Sequence, residues 1–261
     1  MRALVRFLAA ILWIPTYLIL GAMMAVAAVP SVFLARWGWR IDTGAAWHDA
    51  LAEAFLGIYF SILSFFLFGL VLMFVLPMFR FLLNARPSKT GSIPIHNTRI
   101  LPWYIYNGML FTFNTVYGRF ARLTTIYPVY LRMMGAKIGK DVVFNTQHVY
   151  DLDILSVGDK TVIGANASIL GHVGEKGRLV RMPVTIGKHC TVGQYANIFP
   201  GVTMGDNCHV GAMSMVPKGM QLDANAVYGG VPARKIKDLK PGQHATTEDV
   251  AGTVGTPNEG I

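Results

Sequence analysis

The stretch that decides the fold runs from Ile186 to Leu222 and reads IGKHCT-VGQYAN-IFPGVT-MGDNCH-VGAMSM-VPKGMQ-L. An aliphatic residue opens every block of six. A glycine follows it in four of the seven blocks, and a small residue stands four positions after it in the first five. Apolar residues recur about every 3.6 positions in a helix and every second position in a strand. A strict period of six is typical of a repeat architecture.

A six-residue unit accommodates one short flat strand and a corner. The pattern predicts that the aliphatic residue points inward, that the glycine relieves the corner, and that the small residue fills the narrow interior. Three units then form one triangular coil of eighteen residues. The same phase is visible earlier, at Ile138, Val157, Ile163 and Ile169, and it breaks between Ile169 and Ile186. We therefore expect a polar loop to leave the coil within 170–185.

Composition points to a membrane rather than to nucleic acid. The chain has 261 residues, a net charge of +9 and 53% hydrophobic residues, and a mean hydropathy of +0.43. No acidic residue occurs from Ala54 to Lys140, whereas nine basic residues occur from Arg80 to Lys140. These charges are dispersed among apolar residues, which favours contact with the anionic headgroups of an inner leaflet and disfavours a nucleic-acid partner.

Two uncharged stretches, Phe7 to Ala35 and Ala54 to Phe79, are each long enough to cross a bilayer, which takes about 20 residues. They predict a two-helix transmembrane hairpin over residues 1–79. A cleaved signal peptide is the alternative for the first stretch, because Ala25-Val26-Ala27 resembles a cleavage site. The placement of basic residues predicts an inner (plasma) membrane protein, with its N-terminus and everything after Phe79 in the cytoplasm.

Three further segments follow the hairpin. Residues 80–134 are basic and aromatic, and we expect interfacial linker helices there, with a soluble core helix as the alternative. Residues 135–240 hold the repeat. Residues 241–261 are rich in Gly, Thr and Pro without periodicity, which predicts a disordered tail.

Several motifs resemble the hexapeptide-repeat acyltransferases, whose fold is a left-handed parallel β-helix. The resemblance covers roughly Pro128 to Leu239. It rests on the entry segment PVYLRMMGAKIG from Pro128, and on VGAMSMV from Val210 followed by YGGVPARKI from Tyr228. The segment DLDILSVGD from Asp151, the loop at His172 and the upstream apolar segments resemble a membrane-associated branch. That branch forms the C-terminal part of certain non-ribosomal peptide synthetases, such as ε-poly-lysine synthetase.

The resemblance implies an all-β left-handed helix domain preceded by α-helical membrane segments. It also implies a homotrimer whose active sites lie in grooves between subunits, and an acyl-thioester donor, usually acetyl-CoA, with no metal. The branch further implies a carrier-protein or peptide-synthetase partner, although this chain has no adenylation or carrier domain. Its loop, GHVGEKG from Gly171, lacks the acidic pair that the branch would place three residues after the histidine.

Acyl transfer requires a base for the acceptor's proton, and histidine suits neutral pH. His172 lies in the interrupting loop with Glu175 three residues on, so we expect His172 to be the base and Glu175 to orient it. His148, Asp151 and Asp153 precede the loop and are candidates for supporting the base or binding the acceptor. Asp151 and Asp153 could instead cap a turn. His189 and His209 fall near expected outward corners and are weaker candidates.

The donor would be held by other groups. Backbone N–H groups near Gly211 and Ala212 could bind the thioester or pantetheine, because small residues permit close approach. Arg234 and Lys235 could meet the phosphates of the adenosine end, or else solvent or membrane. Cys190 and Cys208 are eighteen positions apart, so we expect them to stack as reduced packing residues in adjacent coils.

Three other functions remain open. The first is amide formation from a carrier-bound aminoacyl donor, and the second is a non-catalytic membrane scaffold. The third is a γ-type carbonic anhydrase, which shares the coil but requires three zinc-binding histidines, two of them five positions apart on one strand. No pair of histidines in this chain has that spacing.

Overall fold

The computed structural model describes residues 2–41, 47–84, 87 and 90–240, with side chains for all of these except 2–16 and 47–49. The predicted disordered tail, 241–261, lies outside the described residues. The chain divides into two compact units. One consists of Met1–Ala85 with Tyr104–Tyr117, and the other of Arg86–Trp103 with Gly118–Ile261.

The first unit is helical. Helix α1 spans Arg2–Gly38 and α2 spans Trp47–Leu82. They pack together through Trp37 on Phe60, with ring centroids 5.1 Å apart, and through a 3.1 Å hydrogen bond from Trp39 Nε1 to Ser61 Oγ. Many of their large apolar side chains are exposed. By length and composition, Tyr17–Gly38 and Ala50–Leu82 could each cross a membrane.

Three further helices follow, and the chain passes from one unit to the other within them. Helix α3 spans Leu101–Phe113 and runs into a π-helical turn, Asn114–Gly118. Helices α4, Arg119–Ala121, and α5, Ile126–Met133, belong to the second unit. The segment 80–134, where linker helices were expected, holds these helices and also strand β1, Gly91–Pro94, which pairs with a strand of the repeat domain.

The repeat domain contributes sixteen short strands, β2 to β17, within the described residues. In chain order they are Lys137–Ile138, Val143–Phe144, Leu155–Val157, Val162–Ile163, Ser168–Ile169, His172–Glu175, Arg178–Arg181, Val184–Ile186, Thr191–Val192, Asn197–Ile198, Thr203–Met204, His209–Val210, Met215–Val216, Gln221–Leu222, Ala226–Gly229 and Arg234–Asp238.

These strands confirm the predicted six-residue repeat. Strand β10 pairs in parallel with β13, β11 with β14, and β12 with β15, each eighteen residues further on. Successive strands thus join three different sheets in turn, with orders β17-β16-β13-β10-β5-β3, β14-β11-β6 and β15-β12-β9-β4-β2. The seven in-phase aliphatic residues from Ile186 to Leu222 are all 4% exposed or less. Helix α5 covers the first coil, with the Tyr127 ring 6.0 Å from Phe144.

The corners do not lie at the glycine that follows each aliphatic residue, where they were expected. Left-handed backbone angles fall three residues after each aliphatic residue of the coil except Ile169, where the hairpin begins, with φ between 52° and 57° from Lys160 to Asn225 wherever that residue is not glycine. Asparagine occurs there three times, in keeping with its tolerance of this region. The glycine beside the aliphatic residue has another role. A Cβ at Gly193 would lie 2.4 Å from the backbone N of Ala212 in the next coil, so glycine permits the coils to stack.

The predicted interruption is a β-hairpin rather than an irregular loop. Strands β7, His172–Glu175, and β8, Arg178–Arg181, pair antiparallel, and β1 adds to the far side of β8. The Arg178 guanidinium reinforces this addition by donating to the Ser92 hydroxyl and to its carbonyl. Val173 stands four positions after Ile169, where the repeat would place a small interior residue, but it lies on this hairpin and is half-buried because the chain has already left the coil.

Candidate active site

The hairpin holds His172 against Asp151, an aspartate from the preceding coil. The Nδ1 atom of His172 lies 2.5 Å from Oδ2 of Asp151. The Asp151 side chain is fully buried, whereas 25% of the His172 side chain is exposed. A short contact between an imidazole and a buried carboxylate fixes the ring, and it sets which nitrogen carries the proton.

Asp151 is held by four donors. Besides His172, they are the Trp103 indole nitrogen at 2.8 Å, the Gly171 backbone nitrogen at 3.2 Å and Arg181 Nε at 3.3 Å. The residue adopts a left-handed conformation, with φ of 51°, just before the 3₁₀ turn Leu152–Ile154. Aspartate tolerates this region better than most side chains do. The four donors occupy the sites that a carboxylate offers.

Arg181 joins the two predicted acids. It is 1% exposed, lies opposite His172 across the hairpin, and places Nη2 2.7 Å from Oδ1 of Asp153. Burial alone would raise the pKa of Asp151. The hydrogen bond and charge of His172, the Arg181 charge and the Trp103 hydrogen bond outweigh burial and hold that pKa below its usual value. Burial outweighs Arg181 at Asp153, and the pKa of that carboxyl is raised.

Glu175 does not contact His172 in this structure. Its Oε1 forms an ion pair with Lys218 Nζ, and both side chains are about two-fifths exposed. In an extended strand, residues three apart point to opposite faces, so the spacing that would pair them in a helix separates them here. Asp151, and not Glu175, contacts the His172 ring in this structure.

Three other histidines considered from the sequence have different surroundings. His148 is half-buried, and burial together with the charges of Arg119 and Arg122 lowers the pKa of its imidazole. His189 is exposed at a left-handed corner, as expected. His209 was expected at a corner but lies in strand β13 and is 5% exposed, with Nε2 3.3 Å from the Asn207 side-chain oxygen.

The candidate donor-binding residues lie at the C-terminal coils. The Gly211 N–H is donated to the Tyr228 carbonyl at 2.8 Å, so this group serves coil stacking and not the thioester. Ala212 is exposed beside it. Arg234 and Lys235 lie on β17. Arg234 is exposed, and Lys235 forms ion pairs with Asp223 at 3.1 Å and Asp238 at 2.5 Å.

Cys190 and Cys208 are both buried and reduced, as the spacing predicted. Burial raises the pKa of Cys190 to about 11 and that of Cys208 to about 12, so neither is a thiolate near neutral pH. Among the residues that the structure describes, no group of three or more His, Cys, Asp or Glu side chains is arranged to hold a metal ion.

Sequence reasoning missed Trp103 and Arg181. Trp103 lies in the segment interpreted as membrane-interfacial, forty-eight positions before Asp151. Arg181 lies in a hairpin strand whose pairing the repeat phase does not predict. The available signal was the pair of acids at Asp151 and Asp153, since buried carboxylates require a cationic or donor partner.

Comparison with known proteins agrees with this architecture. The family model described as bacterial transferase hexapeptide (six repeats) matches residues 183–218. YvoF of Bacillus subtilis (strain 168), which carries a provisional acetyltransferase name, is 31% identical over 161 residues, covering 57% of this chain and 90% of YvoF. The chain belongs to the hexapeptide-repeat acyltransferases. Membership in this family implies a left-handed winding of the coil.

Two other similar proteins match over less of their own length. Delta-poly-L-ornithine synthetase of Acinetobacter baumannii (strain AB307-0294) is 28% identical over 148 residues, which cover 56% of this chain and 11% of the synthetase. A maltose O-acetyltransferase from Clostridium difficile 630 has 27% identity and a TM-score of 0.38, covering 41% of this chain and 61% of that one. The chain thus spans about a tenth of the synthetase and under two-thirds of the solved acetyltransferase.

Proposed function

We propose that this chain is a membrane-anchored acyltransferase that moves an acyl group, acetyl in the simplest case, from an acyl-CoA to a hydroxyl or amine. In this proposal His172 is the general base. The observation that carries it is the 2.5 Å contact from His172 Nδ1 to the buried carboxylate of Asp151, on an imidazole that is still 25% exposed. Membership in the acyltransferase family supplies the reaction class.

The geometry assigns each ring nitrogen a task. Nδ1–H donates to Asp151, which leaves Nε2 unprotonated and able to accept the proton of an acceptor O–H or N–H. The acceptor atom then attacks the thioester carbonyl carbon. As the tetrahedral intermediate collapses, the C–S bond breaks and Nε2–H returns its proton to the departing sulfur. The products are the acylated acceptor and free CoA thiol, and His172 is neutral again.

The net charge of the buried groups beside His172 is opposite in sign to the charge that the ring gains during the reaction. With both carboxylates ionised, Asp151, Asp153 and Arg181 carry one net negative charge, which the imidazolium neutralises. Arg181 is fully buried, so its interaction with the two acids is screened little by solvent. In this proposal Asp151, supported by Arg181 and Asp153, has the role of the orienting acid in a nucleophile–histidine–acid triad.

The anchor is proposed from the first unit. Tyr17–Gly38 and Ala50–Leu82 are long and apolar enough to span a bilayer, and their exposed apolar side chains suit lipid. We place the N-terminus and the coil on the cytoplasmic side, and we expect a homotrimer, since solenoid faces commonly associate. Single cysteines introduced at Trp47 and Asn207 test sidedness. A membrane-impermeant maleimide should label only the first in intact cells, and labelling of position 207 alone would reverse the topology.

A second candidate keeps the same base but changes the donor. The match to delta-poly-L-ornithine synthetase favours amide formation from a carrier-bound aminoacyl group, in which His172 would deprotonate the attacking amine. In this version the partner is a carrier protein or peptide synthetase. A carrier-loaded aminoacyl thioester that reacts while acetyl-CoA does not would favour this candidate over the first.

The deciding experiment is an acceptor screen with the full chain in detergent. Labelled acetyl-CoA is offered with panels of amines and of hydroxyl compounds, and label transfer is followed for the wild type and for His172→Ala. His189→Asn is the matched control, because His189 is exposed and asparagine tolerates its left-handed angle. Transfer by the wild type and the control but not by His172→Ala supports the proposal. Equal transfer by all three contradicts it.

A further inference from the structure

Trp103 contacts both members of the His172–Asp151 pair. Its indole Nε1 donates to Oδ1 of Asp151 at 2.8 Å, the oxygen that His172 does not use. Its ring meets the His172 ring edge to face, with centroids 4.8 Å apart and planes at 73°. One side chain therefore fixes the rotation of the carboxylate and also bounds one side of the imidazole.

We propose that Trp103 is a positioning residue for acyl transfer, acting through Asp151 and His172. This inference rests on the function proposed above. A carboxylate that accepts from His172 through one oxygen can still rotate about its bond to Cβ. The indole donor on the second oxygen opposes that rotation, so Oδ2 stays aimed at Nδ1 and Nε2 stays aimed outward.

An indole suits this position for two reasons. It is a donor only, so it cannot compete with Asp151 for the proton of His172. It is also uncharged, so it holds the carboxylate without adding a second cation beside the imidazole. Arg181 approaches the same oxygen at 3.3 Å but is shared with Asp153, which makes the indole the closer of the two side-chain donors to Oδ1.

The chain path explains how a residue from the linker reaches the site. Strand β1, Gly91–Pro94, pairs with β8, the hairpin strand that ends at Arg181. A tight turn follows, in which the Asn97 side chain accepts from Arg99 N, and helix α3 begins at Leu101 with Pro102 in its first turn. Trp103 therefore follows closely after a strand that is paired with the hairpin. The linker thus supports the catalytic pair, in addition to the role in membrane contact predicted from sequence.

Trp103→Phe tests the inference, because it keeps an aromatic ring and removes the N–H donor. Trp39→Phe is the matched control, since it removes an indole hydrogen bond to Ser61 in the other unit. The first readout needs no acceptor. Diethyl pyrocarbonate acylates unprotonated imidazole, and mass spectrometry of the peptide carrying His172 gives its modification rate at one fixed pH. The second readout is label transfer from acetyl-CoA, and the third is the melting temperature.

The expected change has a defined sign. Without the indole donor the Asp151 carboxylate rotates more freely away from Nδ1, so the imidazole is held less firmly and its modification by diethyl pyrocarbonate becomes faster. The other charged groups on and around the hairpin include Lys176, Arg178, Arg181, Asp153, Glu175 and Lys218, and neither Phe variant replaces them. Trp103→Phe should also lower kcat about tenfold, the lower end for lost outer-shell partners of a histidine.

The outcomes separate the two proposals. A faster modification of His172 and a reduced kcat in Trp103→Phe alone, at an unchanged melting temperature, support the positioning role. An unchanged modification rate overturns it, whether turnover is normal or falls together with the melting temperature, because the tryptophan is then dispensable or only structural. If Trp103→Phe transfers label normally while His172→Ala is inactive, the result supports His172 as the general base and contradicts the positioning role of Trp103. Full label transfer by His172→Ala contradicts both the general base and the positioning role.

Discussion

His172 and Asp151 are twenty-one positions apart in the chain, yet Nδ1 of one lies 2.5 Å from Oδ2 of the other. One residue opens the hairpin that interrupts the coil, and the other lies in the coil before it. The contact therefore exists only when the hairpin is seated on the coil, which ties the arrangement of the base to the folding of the insertion.

Asp151→Asn should lower kcat by about 10²-fold or more, because an amide cannot hold the imidazole in the required tautomer or stabilise its cation. Glu175→Gln is the matched control. It removes an acid three residues from His172 that contacts Lys218 instead, and kcat should stay within about twofold of the wild type. Steady-state rates with the acceptor found by screening check both. Equal losses of kcat in the two variants would indicate that Glu175 also supports His172 during the reaction.

Arg181→Met should destabilise the second unit by about 3–5 kcal/mol, because it leaves two buried carboxylates without their cation. Denaturant unfolding measures the change. The double variant Arg181→Met/Asp153→Asn should recover part of the loss, since one of the two acids is then neutral. A double variant less stable than Arg181→Met alone would show that Asp153 has another essential partner.

Acid should weaken the fold partly through Asp151. Its pKa is lowered in the folded state, so its contribution is fully present above the unfolded value of about 4 and is lost as pH falls through the folded value. Asp153 has a raised pKa and acts in the opposite sense, because its ionisation opposes folding and its protonation relieves that cost. The melting temperatures of the wild type and Asp151→Asn should converge between about pH 5 and pH 2. A constant difference would contradict the assignment.

Ala196→Leu should destabilise the coil by about 1–3 kcal/mol, since Ala196 is fully buried in the narrow interior. Thr203→Val is a matched control on an exposed strand position and should change the melting temperature little. An unchanged melting temperature in Ala196→Leu would place that side chain outside the coil, contrary to the structure.

The sequence predicts the coil well because the repeat is local. Each inward residue is determined by a period of six that can be read without knowing any long-range contact, and the observed pairing at eighteen residues follows from it. The corners were assigned less well. Glycine tolerates unusual backbone angles, and it also lacks a side chain. Only the structure shows that the missing side chain is what matters at Gly193, which follows Val192 and faces Ala212 of the next coil.

The candidate site could be predicted only in part. The phase break marks His172, but the partner of that histidine depends on the pairing of an inserted hairpin, which no periodicity encodes. In a strand, Glu175 is directed away from His172, and a coil residue and a linker residue, Asp151 and Trp103, fill the space around the imidazole. Long-range contacts of this kind leave no signal in the spacing of a single sequence.

The most direct test of the account is kcat for His172→Ala beside His189→Asn, measured on one verified acceptor with acetyl-CoA. The account predicts a fall of about 10²-fold or more for His172→Ala, the range for a lost general base, with an unchanged melting temperature and oligomeric state. His189→Asn should keep wild-type turnover. Full turnover by His172→Ala would contradict the assignment of the base, and His148 would be the next histidine to test.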